Sequence, residues 1–149
     1  MDSKEFFYEF GRLLYKIDAF YSQIAKESDN KPNLMWILYA LNDGKPHSQK
    51  EISNSWDIPL TTVNTIVLEL KEKEIVSMVP IPKKRREKNL VLTEKGKQYC
   101  AEVLSDIFKM ETKTYSLLGN KTERIIDDLH DLLEKLNACK KENETCTKS

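Results

Sequence analysis

At 149 residues the chain has the length of one domain, or of one domain with helical extensions, and with 40% hydrophobic and 32% charged residues it can build a core but is too polar for a membrane protein. The longest apolar runs, residues 34–41 and 65–68, fall far short of the ~20 residues that a bilayer span needs. Formal net charge is zero, yet residues 31–100 carry 12 basic and 8 acidic residues while the two flanks together carry 12 and 16, so the centre is locally positive, and a polyanion responds to that local field.

Residues 3–27 read as an amphipathic helix, because Phe6, Phe10, Leu13, Ile17, Phe20 and Ile24 recur at spacings of three and four. Asp29-Asn30-Lys31-Pro32 breaks it. A short apolar helix over 33–42 follows, with Leu34, Ile37, Leu38 and Leu41 inward, and Asp43-Gly44 turns the chain. Ser48-Gln49-Lys50-Glu51 is a capping box opening a short helix with Ile52 and Trp56 as apolar positions. Asp57-Ile58-Pro59 interrupts, and Pro59 suits the first turn of a new helix running to about Lys73, whose inner face is Val63, Ile66, Val67 and Leu70.

Residues 75–79 and 89–93 are β-prone, and 80–88 between them form the long basic tip of a hairpin. Thr93 can cap a helix reaching Leu118, with Tyr99, Val103, Ile107, Met110, Thr114 and Leu117 in one stripe, ended by Gly119-Asn120. A last helix spans 122–140 on Ile125, Leu129, Leu132 and Leu136, and a polar tail follows from Lys141. The fold class is therefore mainly α (α+β): a winged helix-turn-helix over 31–95, flanked by a dimerisation helix (1–30), C-terminal dimerisation helices (96–141) and the tail (142–149).

Two turn-linked helices followed by strand, basic tip and strand suit double-stranded DNA. With the apolar face inward, Leu60, Thr61, Thr62, Asn64 and Thr65 are left outward at the start of the second helix, where Asn can pair with adenine and Thr can meet a thymine methyl. Ser48 and Gln49, at the start of the bracing helix, suit a phosphate. Lys83, Lys84, Arg85, Arg86 and Lys88 can reach the backbone or enter a minor groove.

Ser48-Gln49-Lys50-Glu51-Ile52, Thr61-Thr62-Val63-Asn64, Leu70-Lys71-Glu72-Lys73, Arg85-Arg86 and Leu92-Thr93-Glu94-Lys95-Gly96 together resemble the MarR family of bacterial regulators over most of the chain. The resemblance implies a homodimeric winged-helix repressor on a pseudo-palindromic operator, often released by a small, frequently aromatic effector. Three departures stand out. Lys84 takes the place of the Asp that usually precedes the Arg matching Arg86 by two residues, which removes the acidic partner of the family's tip salt bridge. Thr65 lies near a place where a basic residue is common. Glu74 stands where a Gly usually ends the recognition helix, so that helix is expected to end differently.

Phe20, Met35, Trp36, Tyr39 and Tyr99 could line an effector pocket, although each is individually an ordinary core residue. No catalytic, cofactor-binding or metal constellation is recognisable. His47 and His130 lie far apart, there is no Gly-rich phosphate loop, and Asp127, Asp128 and Asp131 read as a solvated helix face. Hydroperoxide sensors of this family carry a reactive Cys in the first helix, and this chain has none there; Cys100, Cys139 and Cys146 make no metal spacing or disulfide framework. The opening residues lack the pattern of a secretion signal, and a cytoplasmic location is expected. The competing reading is a winged helix used only for protein–protein contact.

Overall fold

The computed structural model describes residues 1–27 and 31–146, except for the side chains of Arg85 and of residues 144–146. The expected helix break at Asp29-Asn30 and the last three residues of the tail lie outside the described residues. The chain divides into two compact units, Met1–Ile107 and Phe108–Ser149.

The first unit opens with α1 (Ser3–Glu27). Asp2 starts it by a reciprocal cap: its Oδ1 accepts from the Glu5 backbone N–H at 2.9 Å, and its own N–H donates to the Glu5 carboxylate at 3.1 Å. Helix α2 (Pro32–Leu41) is the buried centre, with Met35, Ile37, Leu38 and Leu41 almost inaccessible. A two-residue strand, β1 (His47–Ser48), leads into α3 (Gln49–Trp56). The capping box is present as expected: Ser48 Oγ accepts from Glu51 N at 3.1 Å, and Ser48 N donates to the Glu51 carboxylate at 2.8 Å.

Asp57, left-handed at φ 49°, makes the tight turn into α4 (Leu60–Glu72), where Pro59 is the residue before the first turn. Val63, Ile66, Val67 and Leu70 form the buried face of α4, as its periodicity requires. Beyond the Lys73 cap, Glu74 is left-handed at φ 60°. Its N–H bonds the Lys71 carbonyl at 3.0 Å, and Ile75 N–H bonds the Leu70 carbonyl at 2.9 Å. These paired bonds make a Schellman ending. The helix therefore ends in the backbone geometry a glycine would give, with glutamate in its place.

Strands β2 (Val76–Ile81) and β3 (Lys84–Leu92) form an antiparallel hairpin, and β1 adds to the far side of β3 to give the order β1-β3-β2. Two expectations change here. The basic run is strand rather than a long tip, leaving only Pro82 and Lys83 as the turn, and β1 is an additional strand. Pro82 and a left-handed Lys83 (φ 67°) are what a tight turn of type II asks for at its two central positions. The pairs Pro80–Lys88 and Ile81–Lys84 are consecutive on β2 but four residues apart on β3, so β3 bulges over 85–87.

The helix expected from Thr93 to Leu118 is two helices, α5 (Glu94–Val103) and α6 (Ser105–Leu118), parted at the fully buried Leu104. Leu104 N–H still donates to the Cys100 carbonyl at 2.9 Å, so the apolar stripe crosses the break, with Cys100, Leu104 and Ile107 buried. In the second unit, Gly119 (φ 57°) ends α6, and α7 (Lys121–Cys146) extends past the expected end at Lys140 into the region read as tail.

Candidate nucleic-acid interface

The start of α3, the first turn of α4 and the wing strand β3 meet around one open cleft of about 240 Å³, lined by Ser48, Gln49, Lys50, Leu60, Asn64, Arg86, Glu87 and Lys88. Each arrives by a local rule. Leu60 and Asn64 are one helical turn apart on the flank of α4 beside its buried face. Arg86, within the bulge of β3, and Lys88, at its edge, line the same cleft. Ser48 and Gln49 are placed by the capping box.

The α4 side of the interface is polar and open. Thr61, Asn64 and Thr65 are exposed, Thr62 is half-buried, and Leu60 is 43% exposed, large for a leucine with no chain covering it. The Thr65 hydroxyl donates to the Thr61 carbonyl at 3.0 Å. Gln49 has a buried carboxamide oxygen with no hydrogen-bond partner. On the wing, Lys83, Arg86 and Lys88 are exposed, and Lys84 Nζ lies 3.1 Å from the Glu87 carboxylate. The side chain of Arg85 lies outside the described residues. Of the twelve sequence-selected residues, Ser48, Gln49, Leu60, Asn64, Arg86 and Lys88 therefore share this cleft. Lys84 instead lines a second cleft with Ile81, Asn89, Lys50 and Asn54.

The residues selected for an effector pocket are only partly assembled. Trp36 and Tyr39 have ring centroids 5.7 Å apart, while Met35 is buried and Phe20 is 48% exposed. The sequence reading missed the partners: Tyr21 lies 5.1 Å from Trp36, and Trp56 stacks on Trp36 at 5.6 Å. Spacing within α3 marks Trp56 as apolar but carries no sign of which ring it meets.

Among the described residues, no group of three or more His, Cys, Asp or Glu could hold a metal. On α7, Asp128 pairs with Arg124 at 3.5 Å and Asp131 with Lys135. Cys100 is fully buried, and burial pushes its thiol up to about 11; Cys139 is exposed, and the Cys146 side chain lies outside the described residues. No helix among the described residues is long and apolar enough to cross a membrane.

No model of a known protein family matches the chain. The sequence is 32% identical over 107 residues to the HTH-type transcriptional repressor NicR of Pseudomonas putida, covering 65% of this chain and 68% of that protein. The fold superposes on NMB1585, a MarR family regulator from Neisseria meningitidis, with a TM-score of 0.81 and 26% identity over 96% of this chain and 99% of that one. The chain belongs to the MarR family of winged helix-turn-helix transcriptional regulators. Within this family's fold it also matches Staphylococcus aureus MepR in its DNA-binding conformation, at a TM-score of 0.71 and 20% identity over 88% of this chain and 98% of that one. In MarR terms α3 and α4 are the helix-turn-helix and the β2–β3 hairpin is the wing.

Proposed function

We propose that this MarR family member is a homodimeric repressor that binds a pseudo-palindromic operator and is released by a small aromatic or lipophilic ligand. The observation that carries the DNA-binding part is the single cleft uniting Leu60 and Asn64 of α4 with Arg86 and Lys88 of β3. Asn64 would read a base edge, with Leu60, Thr61, Thr62 and Thr65 around it; Ser48 and Gln49 would meet phosphate; Lys83, Arg85, Arg86 and Lys88 would follow the backbone or the minor groove. Homodimerisation is supported by α1, where Phe6, Phe7, Leu13, Leu14, Ile17 and Phe20 are 42–56% exposed in the single chain. Apolar surface on this scale calls for a partner, and two-fold pairing would present two recognition helices to two half-sites.

The ligand part rests on the aromatic pair Trp36 and Tyr39, with Phe20, Met35 and Tyr99 as further candidate lining residues. It also draws on NadR, a protein of this fold solved with 4-hydroxyphenylacetate (TM-score 0.69, 15% identity over 84% of this chain and 89% of that one). Such a ligand would act by preferring a dimer geometry with the wrong helix spacing, and only to the extent of that preference. A cytoplasmic location goes with this reading.

The test is a mobility shift on the upstream region of the protein's own gene at two salt concentrations, with sedimentation in parallel. Specific, salt-dependent binding by a dimer is expected. A folded monomer at micromolar concentration, or no preference over random DNA, overturns the reading in favour of a protein–protein module. Titration of phenolic acids and hydrophobic cations, followed by tryptophan fluorescence and operator affinity together, tests the ligand; no change across the panel removes that part.

A further inference from the structure

The bulge in β3 sorts the basic run onto two faces. Along a regular strand, residues four apart point the same way. Lys84 and Lys88 are four apart, yet they pair with Ile81 and Pro80, which are adjacent on β2 and so point to opposite faces. The two clefts adjoin, sharing Ser48, Lys50 and Glu87, but the basic residues of β3 divide between them. Lys88 and Arg86 line the one shared with Leu60 and Asn64, while Lys84 lines the other with Ile81 and Asn89. Glu87 lies on the rim of both, and its carboxylate takes a hydrogen bond from Lys84 Nζ at 3.1 Å. The ion pair therefore closes across the bulged residues, between the turn and the strand proper, and Arg86 lies inside the span that it closes.

We infer that Lys84 and Glu87 are a positioning pair, which holds the wing bulge in the form that presents Arg86 to DNA, and that Lys84 acts through this pair rather than as a phosphate contact. The inference rests on the DNA-binding reading above. An acidic residue beside a nucleic-acid cleft should by simple charge weaken binding, so removing it should help. A positioning role demands the opposite sign. Without Glu87 the bulge loses its brace, and ordering Arg86 on the duplex becomes costlier.

The experiment is fluorescence anisotropy on two labelled duplexes, one carrying the upstream region of the protein's own gene and one of random sequence, with circular dichroism to verify folding. Because the pair is exposed, Glu87→Ala is expected to weaken binding by only about two- to fivefold. It should have no further effect in an Arg86→Ala background, where there is nothing left to position. The exchanged pair Lys84→Glu with Glu87→Lys should restore wild-type affinity within about twofold. Lys84→Ala should weaken binding without lowering the slope of log affinity against log salt, which a lost phosphate contact would lower by roughly 0.9 per site. Tighter binding by Glu87→Ala, or an equal loss with and without Arg86, overturns the inference. If the wild-type protein binds neither duplex, the DNA-binding reading itself falls and takes this inference with it, a result distinct from binding that is indifferent to Glu87.

Discussion

The Thr93 hydroxyl donates to the Glu74 carbonyl at 2.7 Å while its oxygen accepts from Gly96 N–H at 2.9 Å, so one side chain ties the end of the recognition helix to the start of α5. The Thr93 N–H adds a bond to the Ile75 carbonyl at 3.1 Å. Thr93→Ala loses both the cap and the tie and should cost about 1–2 kcal/mol in urea denaturation. Thr93→Ser, which keeps the oxygen, should stay within a few tenths of wild type. Equal losses in the two variants would show that the methyl, and not the hydroxyl, is what matters.

Gly96 is required for space. A Cβ there would sit 2.0 Å from the Ile75 carbonyl oxygen, and backbone cannot yield as a flexible side chain can. Gly96→Ala should push α5 away from the end of α4 and destabilise the first unit by about 1–3 kcal/mol or more. A thermal melt unchanged from wild type would contradict this close approach of Gly96 to Ile75.

Glu74 offers the reverse case. It is left-handed at φ 60° and 84% exposed in its side chain, and its ion pair to Lys95, at 3.8 Å, is long. Glu74→Gly should relieve the left-handed penalty, part of which returns as lost chain entropy, for a net gain of about 0.5–1 kcal/mol. A higher denaturation midpoint with an unchanged slope is the expected result; a lower midpoint would mean that the Lys95 contact outweighs the strain.

Cys100 is fully buried with its thiol pushed up to about 11, so it should resist labelling in the folded protein. In a Cys146→Ser background, a disulfide reagent at neutral pH should take up Cys139 at once and Cys100 only on denaturation. The sign of the pH effect follows from the raised value. The stabilisation is complete below the thiol's unfolded value of about 8.5 and is lost as pH rises toward 11. Melting temperatures between pH 8 and 10 should therefore fall less in Cys100→Ala than in wild type.

Much of this arrangement was legible in the residues, where the physics is local. The three-and-four spacing on α4 identifies Val63, Ile66, Val67 and Leu70, all buried, and the Ser48–Glu51 box marks the start of α3 to the residue. The wing was legible in kind but not in extent. Strand periodicity is read from apolar alternation, and 84–88 has none, so its strand character comes from the pairing of Lys84 with Ile81 and of Lys88 with Pro80 on β2. For the same reason nothing local announces the two residues of β1, or the face to which Lys84 turns. Glu74 shows a different limit: the missing glycine suggested another ending for α4, but the Leu70–Ile75 and Lys71–Glu74 bonds and the Thr93 tie hold the left-handed turn without it.

Ser48 belongs to two structures at once, as the last residue of β1 facing Asn89 on β3 and as the cap of α3. With no linker between sheet and helix, a tilt of the wing is also a tilt of the helix that braces α4. The two arms that would grip a duplex share Ser48, so neither is anchored independently of the other.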